Sequence, residues 1–464
     1  MKGVVIVSRI VGGEIRKYQD EMLEDIVKAV SIQSAAGMPV EGMPYGEGPA
    51  KALDFCLELA KSFGLKTENF GNRAGHVEYG EGDGLVGVLA HVDVVPAGEG
   101  WSVPPYGDTV KDGRIYGRGT MDDKGPAISA IYCLKALKDL KITSKRRIRV
   151  ILGAAEETGS EDMAYYFAHE ELPDLAFTPD GEYPICNMEK GILQVRLSGS
   201  GDNGCVKSLM SGSAVNMVPV SAQAELDCGD TDASEIEKVA PGREKGGARF
   251  AVLNNGGAHI VRCFGKAAHA STPEKGINAA ANLIGLLGDR AGNGLLGFIR
   301  DKIGFENDGV SLGIACEDMS GPLTLNLGIV EISAGSDKAV LDIRYPVTKD
   351  GGKILNKIAA EAAKYGVKAE TVKDTVPLHI PETSELVSKL KSAYKHATGK
   401  EAGLYATGGG SYARELNGHG VAFGAGIKPL SYNHIHAADE FLEISDFMKH
   451  CEICLQAIYE LGCE

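Results

Sequence analysis

The segment GVLAHVDVVPAGEGW, residues 87–101, carries the strongest structural signal in the chain. With Leu85 and Val86 before it, the segment opens as a short apolar run, which is typical of a strand buried on both faces. His91 and Asp93 follow directly, and two residues apart on an extended chain they point to the same side. Sites in open α/β sheets form where the strands end. The segment therefore predicts a buried strand with a polar site at its carboxyl end.

Helices and strands alternate on both sides of this segment. Apolar spacing predicts helices at residues 14–34, 50–63 and 126–140, and strands at residues 147–154 and 175–178. Such alternation is typical of an α/β fold with a mixed, mostly parallel sheet flanked by helices.

The pattern changes near residue 191. Short strand-like pieces follow, and long helices return at residues 384–397 and 444–461. We therefore expect a catalytic domain formed by residues 1–190 and 384–464, interrupted by an inserted α+β domain at residues 191–383.

Composition excludes several classes of protein. Asp and Glu outnumber Lys and Arg by 63 to 48, a net charge of −15, and an acidic chain repels the phosphates of nucleic acid. No run reaches the ~18 apolar residues of a membrane span. The ten cysteines show no framework spacing, which is typical of reduced thiols in the cytoplasm. We interpret residues 1–13 as a short strand or a leader rather than a signal peptide.

Three further segments carry acidic residues at turns or strand ends. GRGTMDDKGP contains Asp122 and Asp123 before a helix, ILGAAEETGSED contains Glu156 and Glu157 after a strand, and FTPDGEYP contains Asp180 after another. Each has an ordinary explanation, helix capping for the aspartates and a solvated loop for the glutamates. Adjacent carboxylates repel each other, however, and a nearby dication relieves that repulsion.

The last segment with candidate ligands, NHIHAADEFLEI, contains His434, His436, Asp439 and Glu440. Together with His91, the candidates offer imidazoles and carboxylates without a thiolate, which suits a hydrolytic pair of zinc ions. Two close metal ions need a shared carboxylate, and a glutamate outside the coordination shell is able to act as a base. The spacing in HAADE favours His436 as the last ligand, with His434 as the open alternative.

These segments resemble the zinc exopeptidases that include carboxypeptidase G, aminoacylase and succinyl-diaminopimelate desuccinylase. HVDVVPAGEGW, GRGTMDDKGP, EETGSED, DGEYP and HAADE occur in the order of that family. Within it, HxDVVPAGEGW and GRGTxDDKGP are most similar to the PepV-type bacterial dipeptidases. The resemblance covers the predicted catalytic domain nearly continuously and the inserted domain only at islands.

The resemblance implies a set of metal ligands. His91 and Asp180 would hold one zinc ion, and Glu157 and His436 would hold the other. Asp122 would bridge the two. Mn²⁺ or Co²⁺ are alternatives, because the same ligand types accept all three metals.

The resemblance also implies how the reaction proceeds. Asp93 would orient His91, and the Asp122–Asp123 peptide bond would be cis. Glu156 would take a proton from a water activated by the two zinc ions and return it to the departing amine. His269 would help to polarise the scissile carbonyl.

Islands in the predicted inserted domain match the substrate-binding residues of the family. GSAVNMVPVSA carries Asn216, FGKAAHASTPEKGINAA carries His269 and LDIRYPV carries Arg344. Arg344 would clamp the free carboxylate of a short peptide, since arginine binds carboxylates in a bidentate manner. The segment GGGSYAR would line the same pocket through Gly409, Ser411 and Arg414.

Residues and resemblance together predict a cytoplasmic, metal-dependent dipeptidase. Its partner would be a small peptide with a free amino terminus, and neither nucleic acid nor a membrane. We expect a monomer, with a dimer as the alternative. Two other functions stay open: an amidohydrolase acting on N-acyl amino acids, and a metal-binding protein without catalysis. A dinucleotide-binding enzyme is disfavoured because no G-x-G-x-x-G opens a helix after the first strand.

Overall fold

A computed structural model describes residues 9–199, 201–228, 230–243, 247–255 and 258–464. The strands in chain order are β1 (Lys66–Phe70), β2 (Ala74–Tyr79), β3 (Leu85–His91), β4 (Val110–Lys111), β5 (Arg114–Tyr116), β6 (Arg147–Gly153), β7 (Leu175–Thr178), β8 (Ile185–Glu189), β9 (Gly191–Gly199), β10 (Val206–Ser211), β11 (Ser221–Leu226), β12 (Arg249–Asn255), β13 (Ala258–Phe264), β14 (Glu317–Asp318), β15 (Gly321–Pro322), β16 (Thr324–Ser333), β17 (Ser336–Tyr345), β18 (Val367–Thr375), β19 (Leu378–His379), β20 (Leu404–Thr407), β21 (Gly420–Ala422) and β22 (Phe441–Glu443).

Three of the described α-helices begin at a side-chain cap. Asn278, Asp350 and Ser384 each accept a hydrogen bond from the main-chain N–H three residues on. None of the helices in the described ranges is long and apolar enough to cross a lipid bilayer. The helices in chain order are α1 (Gln19–Ser31), α2 (Glu47–Ser62), α3 (Lys124–Asp139), α4 (Glu161–Phe167), α5 (Asp230–Arg243), α6 (Ala279–Leu287), α7 (Leu295–Phe298), α8 (Gly351–Ala363), α9 (Glu385–Thr398) and α10 (Ile444–Gly462).

The amino-terminal region differs from its prediction in two respects. The helix expected at residues 14–34 is divided, because a 3-10 helix, Gly12–Tyr18, precedes α1. The strand or leader expected over residues 1–13 lies, for residues 1–8, outside the described residues. In the described part, its last two residues belong to the 3-10 helix and not to a strand.

Nine of the described strands form one mixed sheet, in the order β1-β2-β6-β3-β7-β21-β8-β19, with β20 paired to β8. β3 runs parallel to β6 and β7, and β7 runs parallel to β21. The pairs β1–β2, β2–β6 and β8–β21 are antiparallel. All of β3 is buried, and α3 and α10 pack near it, as expected for a parallel strand covered on both faces. The predicted α/β class with a mixed sheet flanked by helices is confirmed.

The chain divides into two compact units. The first unit comprises Met1–Asn187, His379–Tyr405 and Gly410–Glu464, and the second comprises Met188–Leu378 and Ala406–Gly409. The domain boundaries proposed from the sequence stay a prediction.

The second unit contains an antiparallel sheet of eight described strands, in the order β12-β13-β11-β10-β16-β17-β9-β18. Leu341 and Ile343 belong to its apolar core, which also includes residues of α6 and α8. Side chains alternate along a strand, so Asp342 and Arg344 lie on the opposite face of β17. Their cross-strand neighbours on β16 are Asn326 and Thr324, respectively. One face of this sheet is therefore apolar, and the other carries a row of polar residues.

Candidate active site

His91 and Asp93 lie where β3 ends, and both side chains are buried. Nδ1 of His91 is 2.9 Å from the main-chain carbonyl of Asp93 and 3.5 Å from the Asp93 carboxylate. The carboxylate instead accepts hydrogen bonds from the main-chain N–H groups of Glu156 and Glu157, each at 3.1 Å. Asp93 therefore holds the imidazole mainly through its carbonyl and fixes the two glutamates through its carboxylate. Nε2 of His91 is left to face the site.

The carboxylate of Asp122 lies between two imidazoles. Its Oδ1 is 3.0 Å from Nε2 of His91, and its Oδ2 is 2.9 Å from Nε2 of His436. The same nitrogen of His436 is 3.0 Å from Oε1 of Glu157. One carboxylate thus shares its two oxygens between two groups of donor atoms, which is the arrangement that a bridged pair of metal ions requires. The Asp122–Asp123 peptide bond is cis, as the resemblance implied.

The described residues contain two overlapping groups of donor atoms, and the atoms within each group all lie within 4.8 Å of one another. One group is His91, Asp122 and Glu157, and the other is His91, Glu156 and Asp180. Neighbouring ligands of a tetrahedral zinc ion stand about 3.3 Å apart, because the metal–ligand bonds are about 2.0–2.1 Å long. The nitrogen–oxygen separations of 2.9–3.0 Å around Asp122 are close to that spacing. Imidazole and carboxylate donors without a thiolate suit Zn²⁺, Mn²⁺ or Co²⁺.

The carboxylates of this cluster repel one another. Burial and the neighbouring Asp122 raise the pKa of Asp180 to about 7. Burial also raises the pKa of Glu156 and of Glu157. Burial opposes the ionisation of Asp122 as well, but hydrogen bonds from His436 and His91 outweigh it and lower the pKa of that carboxyl group. Crowded carboxylates of this kind are stabilised in the ionised form by a bound dication.

The structure distinguishes the two histidines of NHIHAADEFLEI. His436 contacts Asp122 and Glu157, whereas the ring of His434 packs edge-on against Phe441 at a centroid distance of 5.7 Å. The residue that the HAADE spacing favoured is the one placed beside the other candidate ligands.

Asp162 and Tyr412 belong to the surroundings of the site and received no role from the sequence. The Asp162 carboxylate accepts hydrogen bonds from the N–H groups of Ala154 and Ala155, at 2.8 Å each, and from the Tyr412 hydroxyl. The Tyr412 ring packs edge-on against His91, with centroids 6.1 Å apart. In the sequence Asp162 looks like an ordinary first-turn helix residue. Its contact with Tyr412, 250 positions away, is visible only in the folded chain.

Asn216 and His269 lie on neighbouring loops of the second unit. The N–H of Ala270 donates to the carbonyl of Asn216 at 2.9 Å, and Met217 pairs with His269 in an isolated β-bridge. Both predicted side chains are exposed. Nδ1 of His269 lies 2.7 Å from the Ser271 hydroxyl. The fold thus brings together two residues that stand more than fifty positions apart in the sequence.

Arg344 is buried in the second unit and already has partners. Its Nε and Nη2 donate to the Asp342 carboxylate at 2.6 and 3.1 Å, and its Nη1 donates to the Gly408 carbonyl at 2.8 Å. These bonds use three of the five N–H groups of a guanidinium. A substrate carboxylate would therefore share this side chain with Asp342, a partner that the sequence analysis did not foresee.

The residues predicted from GGGSYAR have local structural roles. Ser411 caps the short 3-10 helix that begins at Tyr412, and Arg414 lies on that helix. The N–H of Gly409 donates to the hydroxyl of Thr407 at 3.0 Å. Their contribution to a substrate pocket stays a prediction.

The sequence matches peptidase family M20/M25/M40 over residues 87–460. "Putative dipeptidase YtjP" of Bacillus subtilis (strain 168) is 36% identical over 466 residues, covering 97% of this chain and 99% of that protein. "Putative dipeptidase SH1171" of Staphylococcus haemolyticus (strain JCSC1435) is 32% identical with the same coverage.

Solved structures show the same fold. Human carnosine dipeptidase 1 superimposes with a TM-score of 0.60 at 14% identity, covering 97% of this chain and 98% of that one. The dipeptidase Dug1p of Saccharomyces cerevisiae gives a TM-score of 0.58 at 13% identity, covering 98% of both chains. Because the family match spans most of the chain and the bacterial relatives match nearly all of it, this protein belongs to peptidase family M20/M25/M40 and is a hydrolase acting on peptide bonds.

Proposed function

We propose that the protein is a metal-dependent dipeptidase that hydrolyses dipeptides with a free amino terminus. The observation that carries the proposal is the Asp122 carboxylate held between His91 and His436. The dipeptide as substrate is supported by the names of the two bacterial relatives.

The donor atoms are assigned to two divalent ions, with zinc as the expected metal. His91 and Asp180 would hold one ion, Glu157 and His436 the other, and Asp122 both. When bound, the ions polarise the scissile carbonyl and lower the pKa of the attacking water. The short contacts among these side chains and the mutual repulsion of the carboxylates support this assignment.

Glu156 is the proposed base. Its main-chain N–H is fixed by Asp93, and its carboxylate lies in one donor group with His91 and Asp180. Burial raises the pKa of Glu156, which suits a group that first takes a proton and then returns it. Its carboxylate oxygen accepts a proton from the attacking water and passes that proton to the amine nitrogen as the peptide C–N bond breaks.

The second unit is assigned to substrate binding. Asn216 and His269 would help to bind the substrate, and His269 would polarise its scissile carbonyl. Both side chains are exposed and lie on neighbouring loops. Arg344 would bind the free carboxylate with the N–H groups that Asp342 and Gly408 do not use. Gly409, Ser411 and Arg414 are the further proposed lining residues.

The proposal is tested by hydrolysis assays on metal-stripped protein, before and after addition of Zn²⁺ or Mn²⁺. The panel contains free dipeptides, a tripeptide, an N-acetylated dipeptide and an N-acyl amino acid. We expect metal-restored cleavage of the free dipeptides alone.

Two other results would contradict the proposal in different ways. Cleavage confined to the N-acyl compounds would make the protein a deacylase with the same metal site. Tight metal binding without turnover of any compound would support the metal site and overturn the dipeptidase activity.

A further inference from the structure

The Glu440 side chain is fully buried beside the turn that carries Asp122. Its carboxylate accepts hydrogen bonds from the main-chain N–H groups of Gly119, Met121 and Asp122, at 3.1, 3.0 and 3.3 Å. Glu440 is not a member of the donor groups described above. Three main-chain donors of one short turn therefore converge on a carboxylate that comes from more than three hundred positions away.

Arg118 is the charged partner of Glu440 and is also buried. Its Nη1 donates to Glu440 at 2.6 Å, and its Nη2 donates to the carbonyl of Ala437 at 3.1 Å. The guanidinium lies 5.3 Å from the ring centroid of Trp101. Because Ala437 follows His436 directly, this one side chain joins the turn of Asp122 to the loop of His436.

Asp123 is nearer to this turn in the sequence, but its carboxylate has another partner. The Oδ2 atom of Asp123 accepts a hydrogen bond from the main-chain N–H of His91 at 3.2 Å. The anion for the turn is therefore supplied by Glu440. A buried ion pair contributes little net stability compared with apolar residues of similar size, so stability alone is a weak reason for placing Arg118 and Glu440 here.

We infer that Arg118 and Glu440 are positioning residues of the peptidase, which set the separation between the Asp122 carboxylate and the His436 imidazole. We call this pair the clasp. The inference rests on the proposed metal site. Partners of metal ligands that do not themselves touch the metal typically change metal affinity or activity by about 10- to 100-fold when they are altered. The clasp acts on the ligands through main-chain hydrogen bonds.

The test uses Glu440→Gln and Arg118→Lys, each compared with the wild-type protein. Glu440→Gln keeps the size of the side chain and removes its charge, and Arg118→Lys keeps the charge and removes the two-branched donor. The control is Glu78→Gln, because Glu78 forms a partly buried pair with Arg149, at 2.7 Å, on the neighbouring strands β2 and β6.

Three quantities are measured: Co²⁺ affinity by competition with a chromophoric chelator, the visible spectrum of the Co²⁺ protein, and kcat and KM for a dipeptide. We expect both clasp variants to bind at least one of two Co²⁺ ions about 10- to 100-fold more weakly, with an altered spectrum. Their kcat should fall while KM changes little. Glu78→Gln should keep the wild-type affinity and spectrum, even where its melting temperature falls.

Unchanged Co²⁺ binding in the clasp variants would contradict the inference. If Glu440→Gln and Arg118→Lys lower the melting temperature but keep the Co²⁺ affinity and spectrum, the clasp is structural only and the inference is wrong. If Glu440→Gln does not fold, the result for Arg118→Lys decides. Failure of the wild-type protein to bind Co²⁺ would instead refute the proposed metal site itself.

Discussion

Asp93, Asp122 and Asp123 lie near the end of β3, and each has a different role because its carboxylate has different neighbours. The Asp93 carboxylate faces main-chain N–H groups and orders Glu156 and Glu157. The Asp122 carboxylate faces two imidazoles, and the Asp123 carboxylate faces the N–H of His91. The covalent structure of the three residues is identical. The direction from which donors approach each carboxylate gives it its role.

The proposed base gives the prediction at this scale. We expect Glu156→Gln to lower kcat by at least ~100-fold, because general acid–base catalysis contributes about 10²- to 10⁴-fold. The amide keeps the shape of the side chain but cannot accept the proton of water. Metal content, measured by mass spectrometry, should equal that of the wild-type protein.

Glu161→Gln is the control for this variant, since Glu161 is exposed on α4 and lies five positions away. It should retain wild-type kcat and metal content. Near-normal turnover of Glu156→Gln would show that another group transfers the proton.

At the scale of elements, β16 supports the loop that carries Asn216. Nδ2 of the buried Asn326 donates to the carbonyls of Val215 and Met217, at 3.1 and 2.9 Å, so it fixes the residues on either side of Asn216. Asn326 also lies opposite Asp342, which holds Arg344. The polar face of this sheet therefore supports two of the residues assigned to substrate binding, Asn216 and Arg344.

We expect Asn326→Ala to raise KM for dipeptides by roughly tenfold, because the carbonyls of Val215 and Met217 lose their shared side-chain donor and each such hydrogen bond contributes about 0.5–1.5 kcal/mol. Metal content should not change, since no proposed ligand lies in the second unit. Steady-state kinetics over a range of dipeptide concentrations provides the measurement.

Asn282→Ala removes one amide-to-carbonyl bond, from Asn282 in α6 to Asn278 at the N-cap of that helix, and serves as the control. Its KM should stay within about twofold of the wild-type value. An unchanged KM in Asn326→Ala would show that β16 does not order the Asn216 loop.

At the scale of the molecule, a buried histidine couples stability to pH. His450 of α10 lies between the Ser129 hydroxyl of α3 and the Tyr183 hydroxyl, each at 3.0 Å. The Ser129 hydroxyl donates to the Pro126 carbonyl, so Nε2 of His450 donates to Ser129 and Nδ1 accepts from Tyr183. A neutral imidazole satisfies this arrangement. A protonated imidazole could not accept from Tyr183, whose hydroxyl would have to turn and accept instead.

Burial lowers the pKa of His450 from its ordinary 6.5 to about 3. The folded protein then binds fewer protons than the unfolded chain between these values, so the contribution of His450 is complete above pH 6.5 and is lost as pH falls toward 3. In the presence of a chelator, we expect the urea concentration at the unfolding midpoint of the wild-type protein to be lower at pH 4.5 than at pH 7.5. The midpoint of the His450→Gln protein should decrease less, because the glutamine amide does not titrate.

His419→Gln, a change at an exposed histidine, is the control and should follow the wild-type protein. An equal fall in the His450→Gln protein would show that other groups carry the pH dependence.

The helices and strands that could be predicted are those whose local pattern is clear. The buried strand β3, helix α3 and the two long carboxyl-terminal helices lie close to their predicted positions. The start of α1 could not be predicted, because its apolar spacing does not distinguish a 3-10 turn from the helix that follows it. The candidate ligands could be named from the sequence because each stands in a short motif after a strand or in a glycine-rich turn, and the structure places His91, Glu157 and His436 beside Asp122. Their role as metal ligands stays a prediction.

The sequence by itself determined the fold class, the peptidase family and the segments that gather around Asp122, because these depend on local spacing and on motifs of a few residues. Only the tertiary structure decided that His436 rather than His434 faces Asp122, that Asp342 occupies part of Arg344, and that Glu440 and Arg118 clasp the Asp122 turn. Each of these contacts joins distant segments or depends on the direction of a side chain. A pattern along the chain contains neither distances nor directions between segments that meet only in the folded protein.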